Sequence, residues 1–402
     1  MKKKITEIIE FIKRHKRYIP PLVIVVILLV TLVTCVGRTG PGDAEPEIPD
    51  VIEETTSEDP DEVTAEPDPE PEPEPDPEPE PDPEPDPEPD PEPPDPGPRN
   101  PLTGLDCEEG VPDNRPLAIM INNVRAAMPL LGVSKADILY ETLVEGGFTR
   151  MLALYQDVTG AGVIGSVRSS RHYYVDIAES FDAVYIFAGG SPQAYSALSS
   201  RNITRLDGVN GRHTEIFYRD SQRQKVMSSE HTLVTSSALI ERWLPTYGFR
   251  LEHEEGYGCA LSFADDGTPE NGSPAADVAI KYSDAKSTSF KYTDEGVYDL
   301  YQFGSVCKDA GNDETVSFTN ILILKTSVSM IRGDAYGRLD IRTTGGGVGY
   351  FICGGKQVAI EWLRIGESSQ FEYRLEDGSP LSLGCGKTYI GIVPSDAKID
   401  IG

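Results

Sequence analysis

The stretch ADILYETLVEGGFTRMLALYQD, residues 136–157, decides how the rest of the chain is read. It holds two apolar runs, 136–145 and 149–157, joined by Gly146-Gly147. Two strand-like runs linked by a short glycine turn predict a β-hairpin. Working outward, PLAIMINN (116–123) and AVYIFAGG (183–190) are further apolar runs suited to buried strands. Between and after them the spacing changes. In HYYVDIAESF (172–181), Tyr174, Ile177, Ala178 and Phe181 recur at helical intervals. SPQAYSALSS (191–200) opens with Ser then Pro, the order of a cap and first turn. SSALIERWLPTYGF (236–249) predicts a third helix, ended by Pro245 and Gly248. Strands interleaved with helices predict an α/β layered domain over 100–250.

From 251 to 402 short strands take over. DVAIKY, SFKY, VYDLYQF, NILILKT, RLDIRT, GYFIC, QVAIEW, FEYRL and KTYIGIV are separated by turns. Gly354-Gly355 marks a tight hairpin, and Asp377-Gly378 another turn. The expectation is an antiparallel β-rich domain of about nine strands, a small barrel or sandwich. Gly345-Gly346-Gly347 lacks the Lys-Ser/Thr and the helix of a phosphate loop and reads as a flexible turn.

The net charge of −30 hides an uneven distribution. Residues 41–98 hold 25 Asp and Glu and no Lys or Arg; residues 1–40 hold eight Lys or Arg and two Glu, a net of +6. The remainder, 99–402, therefore carries −30 + 25 − 6 = −11. A moderately acidic body argues against nucleic-acid binding, which needs basic surface. Residues 1–17 are a basic segment, and the apolar run 18–37 approaches the roughly 20 residues of a membrane span. The positive-inside bias puts the N-terminus in the cytoplasm and the body outside, on a single-pass signal anchor. Leu32-Val33-Thr34-Cys35 offers a second reading, a lipobox with Cys35 as acylation site, although Thr34 stands where Gly, Ala or Ser is usual. Signal cleavage is a third reading, without a clear small-x-small site. Residues 38–99 form an acidic, Pro-rich linker. In 66–98 proline alternates with carboxylate, which denies helix and ladder donors and predicts a disordered, extended polyproline II spacer. At about 3.1 Å per residue it spans on the order of 100 Å.

A candidate site lies in GSVRSSRHYYVDIAESF, residues 165–181. Arg168 and Arg171 flank Ser169 and Ser170 where a strand-like run gives way to a helix-like one. Either serine is placed to cap the helix. A helix start offers unpaired N–H groups and positive charge, and guanidinium forks hold carboxylate or phosphate with paired bonds. A second strand-to-helix junction, Gly189-Gly190-Ser191, gives a ligand close access to backbone. The alternative is internal: the arginines pair with Glu141, Glu145 or Asp176. The six cysteines show no CxxC spacing, and those in strands read as small core residues or free thiols. No histidine pair has metal-ligand spacing, so no metal or cofactor is expected. His231, in a polar loop before a helix, is the histidine with a candidate role.

RPLAIMINN, ADILYETLVEGGFTRMLALYQ, IGSVRSSRHYYVDIA and AGGSPQA, in that order, resemble the YerB-like family of Gram-positive lipoproteins. FADDGTP, DVAIKYS, FKYTDEGVY, GRLDI, GYFICGGKQVAIEW and LEDGSPLSLGCGKTYIGIVP extend the resemblance over nearly all of 101–395. The resemblance implies a domain of unknown function with a C-terminal companion, tied to the cell envelope. It carries Asn122, Glu141, Glu145, Arg150, Arg168, Ser169, Arg171, Gly190 and His231 as family positions. Ser166 stands where the family has Pro, and Glu230-His231-Thr232 where it has Pro-His-Asn.

Three functions are consistent with these features. A binding module would hold an anionic envelope ligand with Asn122, Arg150, Arg168, Ser169, Arg171, Gly190 and Ser191. A hydrolase or lyase would use Glu145 as general acid or base with His231 as partner. A scaffold would dock another envelope protein.

Overall fold

The computed structural model describes residues 97–402. The basic segment 1–17, the apolar segment 18–37 and the linker through residue 96 lie outside the described residues. Among the described residues, no helix is long and apolar enough to cross a membrane.

The hairpin at 136–157 forms as its sequence predicts. Strand β1 is Leu117–Asn123, β2 is Ile138–Leu143 and β3 is Thr149–Tyr155. Every residue of all three is buried. Continuous apolar runs, rather than alternating ones, belong to strands covered on both faces. After the short β4 (Val163–Gly165) come helix α1 (His172–Ser180), β5 (Val184–Phe187), α2 (Pro192–Ser200) and β6 (Arg205–Asp207). Strand β8 (Leu233–Ser236) pairs with β4 on one side and with β7 (Tyr218–Arg219) on the other, in a small sheet beside α3 (Ser237–Trp243).

In the second half the named strands are β9 (Asp277–Lys281), β10 (Ser287–Tyr292), β11 (Tyr298–Gln302), β12 (Asn320–Thr326), β13 (Gly345–Cys353), β14 (Lys356–Arg364), β15 (Thr388–Pro394) and β16 (Lys398–Ile401). Each of the nine runs expected there contains a strand, but they do not build a barrel or sandwich of their own. Strands β9, β10, β11 and β16 join a six-stranded sheet. Strands β12 to β15 enter an eleven-stranded sheet ordered β14-β13-β12-β15-β2-β3-β1-β5-β6 along its main path, with 273–274 and 372–375 on β14. Strand β15 lies parallel to both β2 and β12 and so fastens the two halves together.

The division into an α/β domain over 100–250 and a β domain over 251–402 is therefore not a division of the core. One hydrophobic cluster runs from Leu102 to Val393. An isolated sheet of strands buried on both faces would leave apolar surface and ladder donors exposed on the β2 edge, and β15 covers that edge.

One local expectation changes. Gly345-Gly346-Gly347 is not a turn but the start of β13, paired with Arg364, Leu363 and Trp362. A Cβ at Gly347 would sit 2.6 Å from Trp362 Nε1, so glycine is what lets the indole reach the Lys325 carbonyl at 3.1 Å. Helix α1 is buried almost all round. The sheet covers one side, and the second half covers another: Thr343 Oγ1 donates to Asp176 Oδ2 at 2.9 Å and Arg364 Nη2 to the Asp176 carbonyl at 2.6 Å.

At the seam stands a fully buried pair, Glu141 on β2 and Lys286, 3.5 Å apart. Glu141 also accepts from Asn123 Nδ2 (2.8 Å), Thr149 Oγ1 (2.6 Å), Thr288 Oγ1 (3.0 Å), Tyr389 OH (2.8 Å) and Gln302 Nε2 (3.2 Å). Donors from both halves saturate one carboxylate, which is what a buried charge requires. Cys107, Cys259, Cys307, Cys353 and Cys385 are all unbridged.

Candidate functional site

The end of the sheet where β1 finishes and β3 begins places the candidate residues. The antiparallel register sets Asn122 opposite Arg150. The β2–β3 turn supplies Glu145, with Gly146 and Gly147 both at positive φ. The segment after β4 crosses β1: Val167 bridges Ile121, and the Arg168 N–H donates to the Met120 carbonyl at 3.0 Å. Asn122, Glu145, Arg150 and Arg168 thereby line one open cleft of about 360 Å³. Val124, Val144, Phe148, Thr149 and Tyr336 complete much of its wall.

Each guanidinium has a different setting. Arg171 is buried and forked onto Glu145, with Nε 3.0 Å from Oε2 and Nη2 on Oε1; its Nη1 donates to the Ser170 carbonyl at 2.6 Å. Arg150 is also buried; Nη1 donates to the Ser169 carbonyl at 2.6 Å and Nη2 lies 3.7 Å from Glu145 Oε1. Burial, then the neighbouring Arg171, lowers Arg150 to about 10, so it stays charged near neutral pH. Arg168 pairs with Glu230 at 2.6 Å, and that carboxylate is half exposed. The Arg168 bond and charge hold the Glu230 carboxyl below its ordinary range. Burial by itself would raise Glu145, but Arg171 and Arg150 outweigh it and the carboxyl is held low. Three guanidiniums thus meet two carboxylates.

His231 stands behind Asn122, whose amide nitrogen lies 2.9 Å from His231 Nδ1. An amide donor there makes Nδ1 the acceptor and leaves the proton on Nε2, 3.7 Å from Glu230 Oε1. Burial lowers the imidazole, with Glu230 opposing, so the ring is neutral at pH 7.

Some sequence expectations move. Neither Ser169 nor Ser170 caps α1. Arg171 occupies the N-cap without a side-chain cap bond, and Ser170 Oγ instead accepts from Tyr185 OH at 2.8 Å. The second junction holds a carboxylate of its own. Asp207 Oδ1 takes the N–H groups of Gly189 (2.8 Å) and Val209 (2.9 Å), and Oδ2 takes Tyr195 OH (2.7 Å). Ser191 caps α2 by accepting from Ala194 N at 3.1 Å. Gly190 and Ser191 therefore serve that helix start and do not line the cleft.

Of the internal partners considered for the arginines, Glu145 takes Arg150 and Arg171, Asp176 takes Arg201, and Glu141 takes Lys286. Phe148, Glu230 and Tyr336 were not singled out from the sequence. Phe148 follows the glycine turn directly, but Tyr336 reaches the cleft from the other half of the chain and carried no local signal. A larger cavity of about 440 Å³, elsewhere on the second half, is lined by Asp266, Glu270 and Asp377 and by no Lys or Arg. It does not suit an anion.

Comparison with known proteins covers most of the chain. The N-terminal domain of the family described as "Protein of unknown function (DUF3048)" matches residues 102–250, and its C-terminal domain matches 278–390. The chain is 30% identical over 298 residues to "Putative lipoprotein YerB" of Bacillus subtilis (strain 168), covering 73% of this chain and 86% of that protein. The crystal structure of the YerB protein from Bacillus subtilis superposes with a TM-score of 0.64 at 28% identity, over 75% of this chain and 99% of that one.

Proposed function

This chain belongs to the YerB-like, DUF3048 family, and from that premise we propose that it is an extracytoplasmic protein of the cell envelope whose cleft binds an anionic envelope ligand. The similar protein's name, a lipoprotein, supports the location. The anchor is the apolar segment 18–37 as a single span with the N-terminus in the cytoplasm, or a lipid on Cys35. The acidic linker then holds the body away from the bilayer.

One observation carries the binding reading: the excess of guanidinium over carboxylate around an open cleft, on a body whose net charge is negative. Arg171 is committed to Glu145 and acts as its support. Arg150 contributes fixed charge from below. Arg168 is the member whose partner can be exchanged, because Glu230 is half exposed and an ion pair in reach of solvent is worth only about 0–1 kcal/mol. An incoming carboxylate or phosphate can take its place at small cost.

The hydrolase or lyase reading fits the geometry less well. Glu145 is ionised near neutral pH and forked by Arg171, so it has no proton to give as a general acid. His231 accepts from Asn122 at Nδ1 and is buried.

The test is a thermal-shift titration of the full-length protein with inorganic phosphate and with lactate, alongside Arg168→Ala. A ligand at about ten times its Kd should raise Tm by about 2 °C in the parent protein and not in the variant. No shift with either anion, or equal shifts in both proteins, would overturn the reading.

A further inference from the structure

The cleft has a second character besides charge. Phe148 and Tyr336, at 43% and 73% exposure, are large aromatic side chains left in solvent on its wall. They come from opposite halves of the chain: Phe148 from the β2–β3 turn, Tyr336 from the loop between Val328–Met330 and Leu339–Ile341. Tyr336 is held in place. The Arg338 guanidinium lies 4.5 Å from its ring centroid, and Asp334 ties the loop by accepting from Tyr336 N at 2.9 Å and Arg338 Nη1 at 2.9 Å. A ring fixed by a cation on one side, and otherwise exposed, is a stacking platform rather than a stray apolar residue.

Resting on the anion-binding reading above, we infer that the ligand is a saccharide bearing a carboxylate. Its C–H face would stack on Tyr336 and Phe148, and its carboxylate would replace Glu230 on Arg168. The π face of an aromatic ring carries partial negative charge and attracts polarised C–H groups. Guanidinium forks match a carboxylate. A peptide fits less well. Strands β1, β2 and β3 are paired on both sides, so they offer an extended backbone no free edge to join. A bare phosphate would use the arginines and leave both rings idle.

Isothermal titration calorimetry on the full-length protein tests this with N-acetylmuramic acid and glucuronic acid as acidic sugars. N-acetylglucosamine and glucose serve as neutral counterparts; lactate, inorganic phosphate and D-alanyl-D-alanine serve as non-saccharide anions. The acidic sugars should bind about five- to tenfold tighter than lactate, the size of one aromatic contact. Tyr336→Ala should abolish that increment without changing lactate, and Tyr336→Phe should keep it. Because Tyr336 is exposed, neither variant threatens the fold.

If acidic sugars and lactate bind equally, and Tyr336→Ala is silent while Arg168→Ala abolishes both, the saccharide inference fails and anion binding stands. Tighter binding of phosphate or of the dipeptide than of either acidic sugar would overturn it too. If no anion binds the parent protein, the underlying reading fails with it.

Discussion

Arg168 and Arg171 sit three residues apart, yet burial gives them different tasks. Arg171 is enclosed and forked onto Glu145; Arg168 reaches the rim and holds only an exposed partner. The difference predicts the effect of changing the partner rather than the arginine. Glu230→Gln removes the competing charge and should strengthen phosphate or lactate binding by about two- to fivefold, measured by calorimetry, since an exposed pair is worth little. Weaker binding in Glu230→Gln would mean that Glu230 contacts the ligand. The serines between the arginines were legible as polar and small, but not as bystanders. Whether Ser170 faces a helix start or the Tyr185 hydroxyl depends on where α1 begins, and that start is set by packing.

The elements were easier to read than their ends. The Ser-Pro opening of α2 gave its cap directly, and Ser191→Ala should cost about 1 kcal/mol in urea or thermal unfolding, the ordinary value of an N-cap. The turn from α1 into β5 carries a less visible device. Asp182, at positive φ, gathers Arg115, Arg250 and His253. Burial pushes its carboxyl up, but the His253 and Arg250 bonds and the Arg115 charge prevail and hold it at about 2. An unfolded aspartate titrates near ~3.9. A depressed folded value means the stabilisation is complete above that pH and is lost as pH falls through the folded value. The melting temperature should therefore drop between about pH 4 and pH 2. Asp182→Asn, which tolerates the same left-handed backbone, should be less stable at pH 7 and lack that portion of the acid slope.

For the whole molecule the seam decides. Glu141 of the first half meets Lys286, Thr288, Gln302 and Tyr389 of the second only when both halves are in place. Burial lowers the Lys286 ammonium, and the Glu141 charge opposes that. Glu141→Ala leaves a buried lysine unpaired and should cost about 3–5 kcal/mol. Calorimetry of the body should show one transition rather than two, because β15 belongs to the strand ladders of both halves. Two separable transitions would contradict a shared core.

Periodicity and turn residues by themselves determined the strands β1, β2, β3 and β5, the three helices and the Gly354-Gly355 hairpin. These are properties of short windows, where side-chain spacing and backbone preference act within a few residues. The sequence also marked Arg168 and Arg171 as a pair, since two guanidiniums at a strand-to-helix junction are visible without a fold, and the resemblance added Arg150. Only the tertiary structure decided which arginine has a half-exposed partner, that Asp207 takes the Gly189 N–H at the second junction, and that Tyr336 joins Phe148 on the cleft wall. Only it placed β15 between β2 and β12. Pairing over more than two hundred residues of chain leaves no local trace; it is selected by which edge must be covered and which charges must be matched in the closed core.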